Sequence, residues 1–117
     1  CVTYRFGVDC PGGDIKITVP HYDGALIDIF VDGVHAGEII FPPYELELKE
    51  LSAGRHEIEV KLYTNRRNAF GTVHLYERKC HWIGPDAWRT RGSKWSYEYV
   101  LRDIGVESAP VIYSLKK

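Results

Sequence analysis

Apolar residues recur at every second position through much of the first half of the chain, the pattern of strands with one face in a core and one in water. Ile15, Ile17 and Val19 alternate with Lys16 and Thr18. The run is bounded by Pro11-Gly12-Gly13-Asp14 before it and Pro20-His21-Tyr22-Asp23-Gly24 after it. The next strand puts Ile27, Ile29 and Val31 on one face and Asp28 and Asp32 on the other. Asp32-Gly33 then signals a two-residue hairpin, because both central positions of a type I′ turn need positive φ. Val34 to Ile39 returns, with Gly37 marking a bulge or a close backbone approach. After the rigid bend Phe41-Pro42-Pro43-Tyr44, Leu46 and Leu48 face inward while Glu45, Glu47 and Lys49 face water. Leu51-Ser52-Ala53-Gly54 turns the chain into the clearest strand, Ile58, Val60 and Leu62 against Glu57, Glu59 and Lys61.

Beyond Tyr63 the pattern changes. The stretch Asn65-Arg66-Arg67-Asn68-Ala69-Phe70-Gly71-Thr72-Val73-His74 sets polar, turn-forming and cationic residues directly behind a strand. Loops in that position usually carry the binding groups of a β-scaffold. From His74 the pattern loosens through Trp82, Gly84-Pro85, Trp88 and Gly92, which predicts a loop with one short turn or strand. Tyr97, Tyr99 and Leu101 then alternate with Glu98 and Arg102, and Val111, Tyr113 and Leu115 close the chain. About seven or eight short strands at this spacing, with poor helical periodicity, predict an all-β antiparallel β-sandwich as one domain over residues 1–117.

With 117 residues the chain can bury a core without staples. Its 15 basic and 16 acidic side chains give a formal charge of −1. That balance supplies no overall field for nucleic acid or an anionic membrane, and neither is expected as a partner. The charge is uneven, however: Arg66, Arg67, Arg78, Lys79, Arg89, Arg91 and Lys94 face only Glu77 and Asp86 between residues 65 and 94. A solvated face or contacts to a neighbouring domain account for this. No run approaches the ~18 apolar residues that cross a bilayer. The absence of an initiator Met and the strand-like opening lead us to expect a piece of a longer multidomain chain, with any export signal outside it. Cys1, Cys10 and Cys80 form an odd set without metal-ligand spacing. A Cys1–Cys10 bridge stays open, but free thiols are expected, which points toward a reducing compartment such as the cytoplasm.

Several of these runs resemble the galactose-binding-like jelly roll, in the variant attached to bacterial glycoside hydrolases as a sugar-binding or accessory domain. They are Ile15 to Val19, Ile29-Phe30-Val31-Asp32-Gly33-Val34-His35-Ala36-Gly37, and Leu51-Ser52-Ala53-Gly54-Arg55-His56 running into Glu57 to Leu62. The match covers residues 14–74, and Asn68 to His74 and Trp82-Ile83-Gly84-Pro85 are similar to segments of such accessory domains. The first strands of that jelly roll are expected to be short or absent here. The resemblance implies a noncatalytic module that packs on the catalytic domain of the same parent chain, a glycoside hydrolase. A carbohydrate-binding module is the alternative, and fold likeness alone does not establish binding.

The candidate ligand-binding residues are Arg66, Arg67, Asn68, His74, Trp82 and Trp88. Arginine forks can bond sugar hydroxyls or carboxylates, and solvated loop arginines look the same in a sequence. Asn65 and Asn68 could bond hydroxyls or serve local turns. An indole can form a platform under a sugar ring or fill a core. Trp82 and Trp88 flank the loop-like Gly84-Pro85-Asp86, whereas Trp95 opens an alternating run and is expected to pack. Asp32, Gly33, Gly54 and Gly71 are assigned to turns, Gly71 because it would adopt a backbone angle closed to other residues. His21, His35, His56 and His81 show no ligand spacing with one another, so no metal and no cofactor is expected. No calcium loop, nucleophile elbow or phosphate loop is present, and turn or strand-face positions account for most of the carboxylates. Catalysis by this chain alone is therefore not expected.

Overall fold

The computed structural model describes residues 1–76, 84–88 and 90–115. The elements in chain order are β1 (Val2–Cys10), β2 (Gly13–Thr18), β3 (Tyr22–Asp23), β4 (Leu26–Val31), β5 (Val34–Ile39), β6 (Glu45–Leu51), β7 (Gly54–Tyr63), the one-turn helix α1 (Arg67–Phe70), a 3-10 turn (Pro85–Trp88), β8 (Gly105–Val106) and β9 (Val111–Leu115). The chain divides into two compact units, Cys1–Thr64 with Ile104–Lys117, and Asn65–Asp103.

The first unit is an antiparallel β-sandwich. One sheet has the order β1-β7-β4-β5, the other β6-β2-β9, and β3 and β8 form a two-stranded ribbon. The middle strands explain the alternation. Ile58, Val60 and Leu62 of β7 and Ile27 and Ile29 of β4 are fully buried, and they join Ile15 and Ile17 of the second sheet, with Val19 just past the end of β2, in one apolar cluster. Each such side chain contributes roughly 1.5–3 kcal/mol relative to exposure, so this shared face is what holds the two sheets together. Leu46 and Leu48 pack against the cluster from β6, and Ile112 from β9.

The strand-like opening, Val2–Cys10, forms a nine-residue strand that pairs with β7 along its whole length, although the resemblance led us to expect short or absent first strands. Tyr4, Phe6 and Val8 alternate onto the core. Gly7 masks the pattern, because a glycine normally weakens a strand. Here the Arg55 guanidinium crosses the space a Cβ would take, its Nη2 2.6 Å from that position. Cys1 and Cys10 are free thiols, the first exposed and the second buried. A strand rises about 3.3 Å per residue, so β1 holds the two sulfurs far beyond bridging distance.

Two local features shape the β4–β5 hairpin. Asp32 and Gly33 at its tip have φ of 50° and 80°. The pairing then slips by one residue, Ile29 opposite Gly37 but Phe30 opposite His35, so Ala36 is the extra residue of a bulge. At Gly37 a Cβ would lie 2.8 Å from Leu46 Cδ1 on the other sheet. The bulge and the close approach therefore occur together. A second slip in the β2–β6 pairing lies beside Glu50, at φ 56°, whose N–H donates to Asp14 Oδ1 at 3.0 Å.

The alternation of Tyr97, Tyr99 and Leu101 does not produce a strand. In the unit Asn65–Asp103 these side chains are 89%, 69% and 56% exposed, and among the described residues of the unit strand pairing is limited to the isolated bridge between Leu75 and Trp95. Alternation without a covering layer carries no burial energy, so it does not fix strand structure.

Candidate functional site

The polar loop behind β7 folds on itself. Asn65 Oδ1 accepts the N–H of Arg67 at 3.1 Å and opens the single turn α1. The exposed Arg66 guanidinium lies over the Phe70 ring, 5.9 Å from its centroid. Asn68 donates through Nδ2 to the carbonyl of Arg102 at 2.7 Å and accepts the N–H of Arg102 through Oδ1 at 3.0 Å. Its amide thus imitates a strand partner, and a ligand would have to compete with both bonds. Gly71 sits at φ −84°, an angle open to any residue. The expected need for a special backbone angle is therefore wrong. What excludes a side chain is the Arg67 carbonyl, which lies against the Cβ position and accepts the Gly71 N–H at 2.8 Å.

His74 is the pivot of this unit. Its Nδ1 donates to the Ser96 carbonyl at 2.9 Å, since a carbonyl can only accept; in the neutral ring this leaves Nε2 as an acceptor. The His74 ring stacks on Trp95 with centroids 5.6 Å apart and lies 4.9 Å from Tyr99. Trp95 in turn meets Tyr97 edge to face at 4.2 Å. Backbone bonds from Ser96 N to His74 O and from Val100 N to Val73 O, 2.8 and 2.6 Å, hold the two segments side by side. The result is a contiguous aromatic cluster with Tyr97 and Tyr99 open to solvent. Trp95 is half-buried in it, in keeping with its expected packing. The two tyrosines were missed as site candidates because their alternation suggested a strand face. The available signal was that their partners in the run are Ser96, Glu98 and Arg102, with no aliphatic residue before Val100.

Trp88 ends the 3-10 turn and is 54% exposed. Trp82 lies outside the described residues, as do Arg78, Lys79, Cys80, His81 and Arg89.

In the sandwich, the turn residue Asp32 does more than bend the chain. Its Oδ2 meets His56 Nδ1 at 2.6 Å, and its Oδ1 accepts the N–H of Glu57 at 2.8 Å. The buried His56 ring presents Nε2 to the Ser52 carbonyl at 2.9 Å. The Ser52 hydroxyl, which can give or take a hydrogen bond, also lies 3.3 Å from Nε2, and the two shorter contacts, to the Asp32 carboxylate and the Ser52 carbonyl, both favour the imidazolium. Accordingly the bond to Asp32 raises the His56 pKa, and the bond to His56 lowers that of Asp32. Other carboxylates are taken up in cross-strand pairs: Glu59 with Arg5 at 2.6 Å, Glu45 with Lys16 at 3.0 Å, and Asp9 with Arg55 at 3.6 Å.

Taken together, these features define one unit that is an antiparallel β-sandwich and a second unit that carries an aromatic surface cluster. No protein-family model matches the chain, and no curated protein matches it. Among solved structures, 94% of the chain superposes on a rhamnosidase from Novosphingobium sp. PP1Y with a TM-score of 0.57 and 17% sequence identity. At that identity the likeness shows the fold alone. The chain spans about one tenth of the rhamnosidase's length, 10% of that chain being covered.

Proposed function

We propose that this chain is a noncatalytic β-sandwich module of a larger glycoside hydrolase, of the galactose-binding-like jelly-roll type, packing on or supporting the catalytic domain. One observation carries the reading: nearly the whole chain has its counterpart in a tenth of a rhamnosidase. The pairing of Asp32, Glu59, Glu45 and Asp9 with basic partners supports it, because each then has a structural role without catalysis. The test is to capture the native polypeptide with an antibody against this chain and assay it on 4-nitrophenyl glycosides, a rhamnoside included. Hydrolysis by the captured polypeptide and none by the 117-residue chain is the expected result. Hydrolysis by the chain alone, or an inactive captured polypeptide, overturns the reading.

A second reading, a carbohydrate-binding module, is favoured by the exposed aromatic cluster. Sugar rings would stack on Tyr97 or Tyr99, or on Trp88, as the sequence suggests for Trp82 and Trp88, with Arg66, Arg67 and His74 Nε2 supplying hydrogen bonds. Glycan-panel binding by the chain, lost in Tyr97→Ala, Tyr99→Ala or Trp88→Ala, supports this reading. Binding to no glycan, or binding unchanged in all three variants, removes it.

A further inference from the structure

The outer face of the β4–β5 hairpin carries three groups that no other contact fully explains. Register pairing places Asp28 directly opposite Glu38. Like charges in that relation repel, so the pair is unfavourable unless something cationic joins it. Regular alternation would send His35 to the opposite face from Glu38, three residues away. The extra residue Ala36 reverses this: with Phe30 opposite His35, the imidazole comes out beside the two carboxylates. Re-aiming a side chain is a recognised use of a bulge. The Phe30 ring then holds His35 edge to face at 5.2 Å.

The resulting triad is compact. One ligand atom from each of Asp28, His35 and Glu38 lies within 4.8 Å of the others, and His35 Nε2 is 3.6 Å from Asp28 Oδ1. Ligands on a tetrahedral zinc ion at about 2.0–2.2 Å sit roughly 3.3–3.5 Å apart, so small side-chain rotations close the set. Lys61 is the cross-strand neighbour of Asp28 on β7, yet its ammonium lies over the Tyr63 ring, 5.4 Å from the centroid. The Asp28 carboxylate is only 16% exposed and the His35 ring 47%, so one ligand is anchored in the sheet while another meets solvent. A cleft of about 490 Å³ along β5 is lined by two of the three groups, His35 and Glu38, with Phe41 and Glu45 among others.

We propose that Asp28, His35 and Glu38 form a divalent transition-metal site, of the zinc class, with water completing the coordination. One imidazole and two carboxylates suit zinc-class ions better than calcium, which takes an all-oxygen set. The inference is independent of the hydrolase reading. It also explains why sequence spacing excluded a metal: the ligands come from two strands and a bulge, not from a short motif.

The test uses the chelator-treated chain in a Cys1→Ser background, to keep the exposed thiol out of the titration. Zn²⁺ binding is followed by calorimetry and Co²⁺ binding by its visible spectrum. One-to-one binding is expected, with no thiolate-to-cobalt charge-transfer band. His35→Ala and Glu38→Gln should each weaken it by at least about tenfold, the low end of what losing even an outer-shell partner costs. Glu38→Gln also has a second readout. Without metal it should match or exceed the parent in thermal stability, because the repulsion with Asp28 is gone, while the stabilisation that saturating Zn²⁺ gives the parent should be lost. No stoichiometric binding, a thiolate band, or an affinity in either variant equal to the parent's overturns the proposal.

Discussion

Substituting Gly37 tests whether the two sheets really pack face to face at the bulge. An ideal Cβ there would stand 2.8 Å from Leu46 Cδ1 and 3.0 Å from Cδ2. Carbon atoms rest at about 3.5–4.0 Å, so roughly 0.5–1 Å must be found by movement. Leu46 is only half-buried and can turn part of the way, which puts the steric cost of Gly37→Ala at about 1–2 kcal/mol, within the usual overpacking range. Its φ of 155° adds a backbone cost of about 1–3 kcal/mol that does not depend on Leu46. Leu46→Ala alone removes the clashing atoms and should cost about 2 kcal/mol, the low end for a leucine that is not fully enclosed. In that background Gly37→Ala should lose its steric part, leaving a favourable coupling of about 1–2 kcal/mol. Urea unfolding of the four proteins, with m-values compared for constancy, measures it. Gly37 and Leu46 belong to different sheets. Penalties that add to within about 0.5 kcal/mol would mean that the two residues do not meet, and the packing of β5 against β6 would be wrong.

Three further outcomes follow from the same contacts. The His56–Asp32 clasp should make stability depend on pH. His56 has a raised pKa, so its contribution is complete below its ordinary value of about 6.5 and is lost as pH climbs through the raised one. Asp32 has a lowered pKa, so its contribution is complete above about 3.9 and is lost only as pH falls through the depressed one. The unfolding midpoint should therefore fall from pH 5.5 to pH 9 more steeply than in His56→Gln, and parallel curves would refute the clasp. Asn68→Ala should free the Arg102 backbone and loosen the unit Asn65–Asp103 by about 1–2 kcal/mol for two bonds, read as faster limited proteolysis within those residues. Ile29→Ala, at a fully buried position, should cost about 2–5 kcal/mol, whereas Tyr97→Ala should stay within about 0.5 kcal/mol by denaturant unfolding.

Much of the sandwich was legible in the sequence because its strands satisfy two constraints at once. Ile15 to Val19, Ile27 to Val31 and Ile58 to Leu62 alternate in polarity and are also bounded by turn residues, so local pattern and burial agree. The Asp32-Gly33 turn and the crowding at Gly37 were readable for the same reason: each demands a residue type that backbone geometry singles out. In β1 the alternation of Tyr4, Phe6 and Val8 was intact, but Gly7 on the outer face argued against a strand, and its reason lies elsewhere in the sequence, in the guanidinium of Arg55. Tyr97 to Leu101 shows the opposite failure. The alternation was there, but a period of two says only which residues share a side, and it takes a second layer to make that side a core.

The surface chemistry was harder to read, and the reason is physical. A motif can be seen in a sequence when its residues come from one short segment, as in a phosphate loop. Here each arrangement is assembled across strands. Asp32 reaches His56 because the β4–β5 turn lies beside the start of β7, and the aromatic cluster depends on two segments paired through His74 and Ser96. Asp28, His35 and Glu38 share a face because the bulge takes Ala36 out of the alternation. With Ala36 deleted, His35 and Glu38 would stand two positions apart in regular pairing, still opposite Phe30 and Asp28 and still on one face of β5. The deletion should therefore retain zinc binding. Loss of binding in a folded deletion variant would show that a shared strand face is not what brings the three groups together.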